Sequence, residues 1–119
     1  MTALDPAHLV GMGGALGALC RAYVSQRFEG EYPVGTLAVN IIGSFALGLV
    51  TFVGAGEEVI LLVGTGACGS FTTFSSFSFE TVRLIEEDDL TAAAANALAN
   101  LLGALAAIGL AWLLTRAVG

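Results

Sequence analysis

Apolar positions along this chain fall in four long runs, from about Ala7 to Phe28, Val34 to Val53, Val59 to Ile85 and Leu90 to Val118. A bilayer's hydrocarbon core takes about 20 residues of helix to cross, and each run approaches or exceeds that length. Short polar links separate them: Glu29 to Pro33, Gly54 to Glu58 and Glu86 to Asp89. The pattern predicts an all-α membrane protein with four transmembrane helices in one integral domain covering residues 1–119. Pro33 stands at the start of the second helix, where proline is tolerated, and Thr91 is a candidate cap for the fourth. Links this short make neighbouring helices antiparallel, giving an up-down-up-down bundle.

The third run departs from the pattern. Gly69-Ser70-Phe71-Thr72-Thr73-Phe74-Ser75-Ser76-Phe77-Ser78 carries six hydroxyl residues, three aromatics and a glycine inside an otherwise apolar segment. Lipid offers no hydrogen-bond partners, so such a run is tolerated at membrane depth only where protein buries it or it lines a cavity. The expectation is a broken third helix, and such breaks mark ion or substrate sites.

Composition narrows the class. Of 119 residues, 56% are hydrophobic and 12% charged, with a mean hydropathy of +0.86; soluble domains carry about 25% charged residues. A multi-pass protein of the cell membrane is therefore expected, without a soluble domain. The formal net charge is −6, with Glu29, Glu31, Glu57, Glu58, Glu86, Glu87, Asp88 and Asp89 outside the apolar runs as a solvated rim. Lysine is absent, which together with the acidic excess hints at a salt-rich source. Cys20 and Cys68 lie in apolar segments and are expected to behave as small hydrophobes. The N-terminus has no basic region or cleavage signal, so no removable leader is expected. The single His8 has no partner motif and no nucleophile-base arrangement can be argued, so no enzyme is expected. An acidic, apolar chain also argues against a nucleic-acid partner.

Small residues recur at close-packing spacing: Gly13 with Gly17, Gly14 with Ala18 and Gly103 with Ala107. This spacing lets backbones approach closely, either within the chain or against a second one. Arg21, Arg27 and Arg83 fall toward one side of the membrane and Arg116 toward the other. The bias leans toward both termini outside, and its weakness is compatible with insertion in both orientations.

Several polar residues within the runs are candidates for an ion pathway. Arg21 is the cation that lies deepest inside an apolar segment; it either draws an anion into a vestibule or snorkels to the nearby interface. Thr36, Asn40, Gly43 and Ser44 share one face of the second helix. The Asn40 amide can donate two hydrogen bonds to an anion or join helices, and the same two roles are open to Asn96 and Asn100, one turn apart on the fourth helix. Phe74 and Phe77 point the same way if the segment after the break is helical. Their electropositive ring edges can face an anion without binding it too tightly for conduction; core packing is the alternative. Interruption of a helix also frees carbonyls, and those of Gly69 and Thr72 are placed to serve a small hard cation. Glu80 is expected to cap or to pair with Arg83 or Arg21.

These residues carry a resemblance. Gly13-Gly14-Ala15-Leu16-Gly17-Ala18 with Arg21, then Pro33-Val34-Gly35-Thr36-Leu37-Ala38-Val39-Asn40-Ile41-Ile42-Gly43-Ser44-Phe45, then Gly66-Ala67-Cys68-Gly69-Ser70-Phe71-Thr72-Thr73-Phe74-Ser75-Ser76-Phe77 with Glu80, resemble in order and spacing the first three helices of the Fluc/CrcB fluoride channels. The resemblance implies a channel that passively exports fluoride, built as an antiparallel dual-topology dimer with two pores at the subunit interface. It also implies a structural, untransported Na⁺ at the dimer centre, held by main-chain carbonyls that fall on Gly69 and Thr72. Phe74 and Phe77 would face the permeating ion, Asn40 would be the pore amide and Arg21 the vestibule cation. Thr73 and Ser76 would supply hydroxyl donors. On the fourth helix the family often offers a Tyr and a Ser along the path, where this chain holds Asn96 and Asn100.

Two other readings compete: a small multidrug-type four-helix transporter, and a non-conducting partner subunit of a heterodimeric channel. The first usually wants an early intramembrane carboxylate, and the first helix here carries Arg21 instead. The second predicts no flux from this chain alone and a paired homologue beside it.

Overall fold

The computed structural model describes residues 4–30 and 32–119; Glu31, counted above with the acidic rim, lies outside them. Four long helical spans run in sequence. Helix α1 covers Pro6–Arg27 and α2 covers Val34–Phe52. The third span is composite: α3 (Glu57–Val59), a π-helix (Ile60–Cys68), α4 (Gly69–Phe71) and then α5 (Phe74–Glu86). Helix α6 covers Leu90–Val118.

Three spans are long and apolar enough to cross a membrane: Val34–Phe52, Glu57–Glu86 and Leu90–Val118. Helix α1, at 22 residues, is long enough but less apolar, since it includes His8, Arg21, Ser25, Gln26 and Arg27 as well as four glycines.

The helix ends follow local chemistry. The Asp5 carboxylate accepts the Ala7 N–H at 2.8 Å, with Pro6 in the first turn, and so caps α1. At the start of α6 the cap is Asp89, whose carboxylate accepts the Ala92 N–H at 3.0 Å. Thr91, expected as the cap, lies inside the first turn; Asp89 sits at the position from which a short side chain reaches the third amide. Pro33 is the residue just before α2 and makes no side-chain cap.

Small residues decide how the helices meet. Helix α1 lies along the π-helix, and α2 along α6. A Cβ on Gly13 would overlap the Leu62 carbonyl, and one on Gly17 would overlap the Ala67 carbonyl and the Ser70 hydroxyl. The Gly13–Gly17 face is therefore filled from within the chain, and the Ser70 hydroxyl seals it by donating to the Gly14 carbonyl at 2.7 Å. Between α2 and α6 the buried residues include Val39, Ala107 and Ala111. The outward face of α6 is apolar, with Leu98, Leu101, Leu102 and Leu105 more than half exposed in the lone subunit.

Candidate ion pathway

The α-helical ladder stops at Phe71. Thr72 is extended at φ −81°, ψ 160°, and Thr73 at φ −150°, ψ 124°. A helix resumes at Phe74 because the Thr73 hydroxyl accepts the Ser76 N–H at 3.1 Å, an ordinary N-terminal cap. The chain thus crosses from one helical segment to the next through two extended threonines.

An extended residue presents its N–H and C=O on the same side, and one carboxamide can meet both. Asn40 of α2 does so. Its Oδ1 accepts the Thr73 N–H at 2.8 Å and its Nδ2 donates to the Thr73 carbonyl at 3.1 Å. The other Nδ2 hydrogen goes to Asn100 Oδ1 on α6 at 2.9 Å. Both amide hydrogens of Asn40 are thereby engaged within the subunit.

These bonds release two carbonyls. In a continuous helix the Thr73 N–H would bond the Gly69 carbonyl and the Ser76 N–H would bond that of Thr72. Here Asn40 takes the first donor and the Thr73 hydroxyl the second. No other backbone amide from outside a helix replaces either one among the described residues. The Cys68 carbonyl, by contrast, is occupied by both the Thr72 N–H and hydroxyl, at 3.1 and 3.0 Å. Gly69 and Thr72 thus offer neutral oxygens without protons, the donor set that suits a hard cation rather than a soft one.

Gly69, Thr72, Thr73, Phe74, Phe77, Asn40 and Asn100 line one groove of about 860 Å³. The two rings are 5.7 Å apart between centroids and tilted by 47°, and Phe74 is 79% exposed in the lone subunit. Gly43 is buried opposite the break; a Cβ there would overlap the Thr72 methyl, so α2 can come this close only with glycine. Ser44 and Thr65 add hydroxyls to the same groove. Apolar walls with a few convergent polar groups are what a binding groove requires.

The other sequence candidates lie elsewhere. Ser76 faces a smaller, more polar groove of about 480 Å³ together with Thr36, Glu80 and Arg83. Among the described residues Glu80 hydrogen-bonds not to an arginine but to the Thr36 hydroxyl, which donates to its Oε1 at 2.9 Å, and its buried Oε2 has no hydrogen-bond partner among them. Arg83 lies 3.9 Å from Glu87, one turn along. Arg21 is half-buried on α1 and lines neither groove. Asn96 borders a third depression, beside Tyr32 and Pro33, and reaches the first groove only through Asn100, whose Nδ2 donates to its Oδ1 at 3.1 Å and to its carbonyl at 2.9 Å. Sequence reasoning passed over Thr81, which accepts from Asn96 Nδ2 at 2.9 Å and donates to the Phe77 carbonyl at 2.7 Å. A mid-helix Thr one turn after Phe77 was the available signal, because such hydroxyls bond back four residues.

The comparisons with known proteins converge. Residues 8–112 match the family model described as CrcB-like protein, Camphor Resistance (CrcB). Over 119 residues the chain is 61% identical to a protein of Haloarcula marismortui named fluoride-specific ion channel FluC 2, covering 99% of this chain and 100% of that one. It is 56% identical over 110 residues to fluoride-specific ion channel FluC 1 of Halobacterium salinarum, covering 92% of each. With the fluoride-specific ion channel FluC of Sorangium cellulosum it shares 47% over 96 residues, 73% of this chain and 76% of that one. A match across this much of the length, to a model and to full-length relatives alike, places the chain in the Fluc/CrcB family.

Proposed function

We propose that this chain is a fluoride-selective channel that lets fluoride leave the cell down its gradient, and not an enzyme. The observation that carries the reading is the groove at the interruption of the third span, where the exposed ring of Phe74 and the half-buried ring of Phe77 stand beside amide and hydroxyl groups. Relatives covering nearly the whole chain bear the name of fluoride-specific ion channels. Fluoride is small and strongly hydrated, so its passage needs close neutral donors and weak attraction rather than a fixed cation that would hold it. Thr and Ser hydroxyls supply the former and the edges of Phe74 and Phe77 the latter. Asn40 has both hydrogens engaged in the resting subunit, so it would serve the ion by releasing Asn100 or Thr73. Arg21 draws anions toward the mouth.

The pathway is completed by a second copy in antiparallel, dual-topology arrangement within the cell membrane. A lone subunit would leave Thr65, Ser75 and the rim of the groove facing hydrocarbon, where unsatisfied polar groups are costly; a two-fold partner covers the same surface on both chains. At the centre, a structural Na⁺ would be held by the Gly69 and Thr72 carbonyls. One subunit offers two such oxygens, too few for a hard cation, and the partner's pair doubles them. The ion would tie the two interruptions together and offset the repulsion between nearby anions.

Growth tests the function. Expression in cells lacking fluoride export should restore growth in fluoride medium, and Phe77→Ile should abolish the rescue. No rescue by well-expressed protein contradicts the homomeric channel and favours a paired homologue. A reporter at the C-terminus should be found on both sides of the membrane; a single location contradicts dual topology.

A further inference from the structure

Thr81 lies outside the groove, yet one continuous line of hydrogen bonds links it to Thr73. Asn40 donates to Asn100, Asn100 to Asn96, Asn96 to Thr81 and Thr81 to the Phe77 carbonyl, at 2.9, 3.1, 2.9 and 2.7 Å. The polarity of the line is forced at both ends. The Thr73 N–H can only donate, so Asn40 must turn its oxygen toward it. The Phe77 carbonyl can only accept, so the Thr81 proton must point at it and the Thr81 oxygen must take a proton from Asn96. Every carboxamide between them then has one orientation that satisfies both neighbours. Asn96 and Asn100 are buried, at 8% and 7% exposure, so water does not compete for these bonds.

The two ends of the line are the residue before α5 and the last residue of its first turn. Phe74 and Phe77 ride on that turn, and α2 and α6 supply the intervening links. We propose that Asn100, Asn96 and Thr81 are positioning residues, whose one-way relay fixes the first turn of α5 and so the placement of the two rings. In this role Asn96 and Thr81 act on permeation without touching the ion. The inference rests on the fluoride-channel reading for its flux readout only.

The relay predicts coupling. Thr81→Val keeps the shape of the side chain but removes both its donor and its acceptor, and Asn96→Leu removes the middle link. Each should slow fluoride efflux about five- to tenfold, the scale of one or two net hydrogen bonds, with Thr81→Ser restoring it. Both changes sever the same line, so the double variant should be no slower than the slower single one, whereas independent effects multiply. Amide exchange at Thr73, read by mass spectrometry or NMR on the dimer, should quicken in both single variants and return with Thr81→Ser. Wild-type flux in the folded variants, or multiplied losses in the double, overturns the relay. Should the wild-type chain itself carry no fluoride, the channel reading fails, and Thr73 exchange alone decides: quickened exchange supports the relay and unchanged exchange overturns it.

Discussion

Replacing Asn40 with Leu removes three hydrogen bonds at once, to the Thr73 N–H, the Thr73 carbonyl and Asn100. Such bonds average about 0.6 kcal/mol each in membrane bundles and about 1 kcal/mol in proteins generally. The summed loss is thus about 2–3 kcal/mol. Part of it is recoverable, because the freed Thr73 N–H has a ready acceptor in the Gly69 carbonyl, its ordinary helical partner. The net destabilisation should be about 1–2 kcal/mol, small enough for the protein to fold. Function should suffer more. Mending the helix at Thr73 moves the first turn of α5, carries Phe74 and Phe77 away and closes one of the two carbonyls that the proposed Na⁺ would use. We expect fluoride efflux from liposomes to fall at least about tenfold, each factor of ten being about 1.4 kcal/mol in the barrier. Dependence of thermal stability on Na⁺ should weaken alongside. An Asn40→Leu variant with wild-type flux and wild-type Na⁺ dependence would refute the idea that this amide holds the interruption open.

Other expectations follow from single contacts. Phe74→Ile and Phe77→Ile should each reduce fluoride flux while size-exclusion profiles match that of the wild type; unchanged flux would remove that ring from the pathway. Gly17→Val should destabilise the fold by about 3 kcal/mol, since the Ala67 backbone carbonyl, which cannot swing aside, blocks the added methyls together with the Ser70 hydroxyl. Gly11→Ala, with open space around it, should be neutral or stabilising by up to about 1 kcal/mol in a thermal melt. Exchanging Na⁺ for a bulky organic cation should lower the melting temperature and the flux of the wild-type protein. Equal melts in both media would remove the cation from the account.

The three most apolar spans were legible because they depend on local hydropathy alone, and the limits of all four helical stretches fall within two residues of those expected. The hydroxyl-rich run from Gly69 to Ser78 also announced its own place in the chain. What the sequence did not show depends on side chains far apart in it. Asn40 and Asn100 are sixty residues apart, and nothing local reveals that Asn40 spends its amide on the Thr73 carbonyl and on Asn100, and Asn100 its own on Asn96, rather than on an open path. The π-helix at Ile60–Cys68 went unforeseen for a related reason, since a run of apolar residues and glycines has the same pattern in either helix. Thr91 was expected as a cap from its residue type, and Asp89 holds that role because capping depends on which side chain reaches the third amide. Asn96 looked like part of a donor ladder along α6. Its carbonyl and Oδ1 do accept from Asn100, while its own amide turns to Thr81 on α5.

The central claim is fluoride permeation, and reconstituted protein tests it most directly. Purified protein in liposomes loaded with fluoride, followed with an ion-selective electrode, should release fluoride rapidly while a parallel chloride load stays inside. Retention of fluoride by folded, reconstituted protein, or release of both ions alike, would contradict the account.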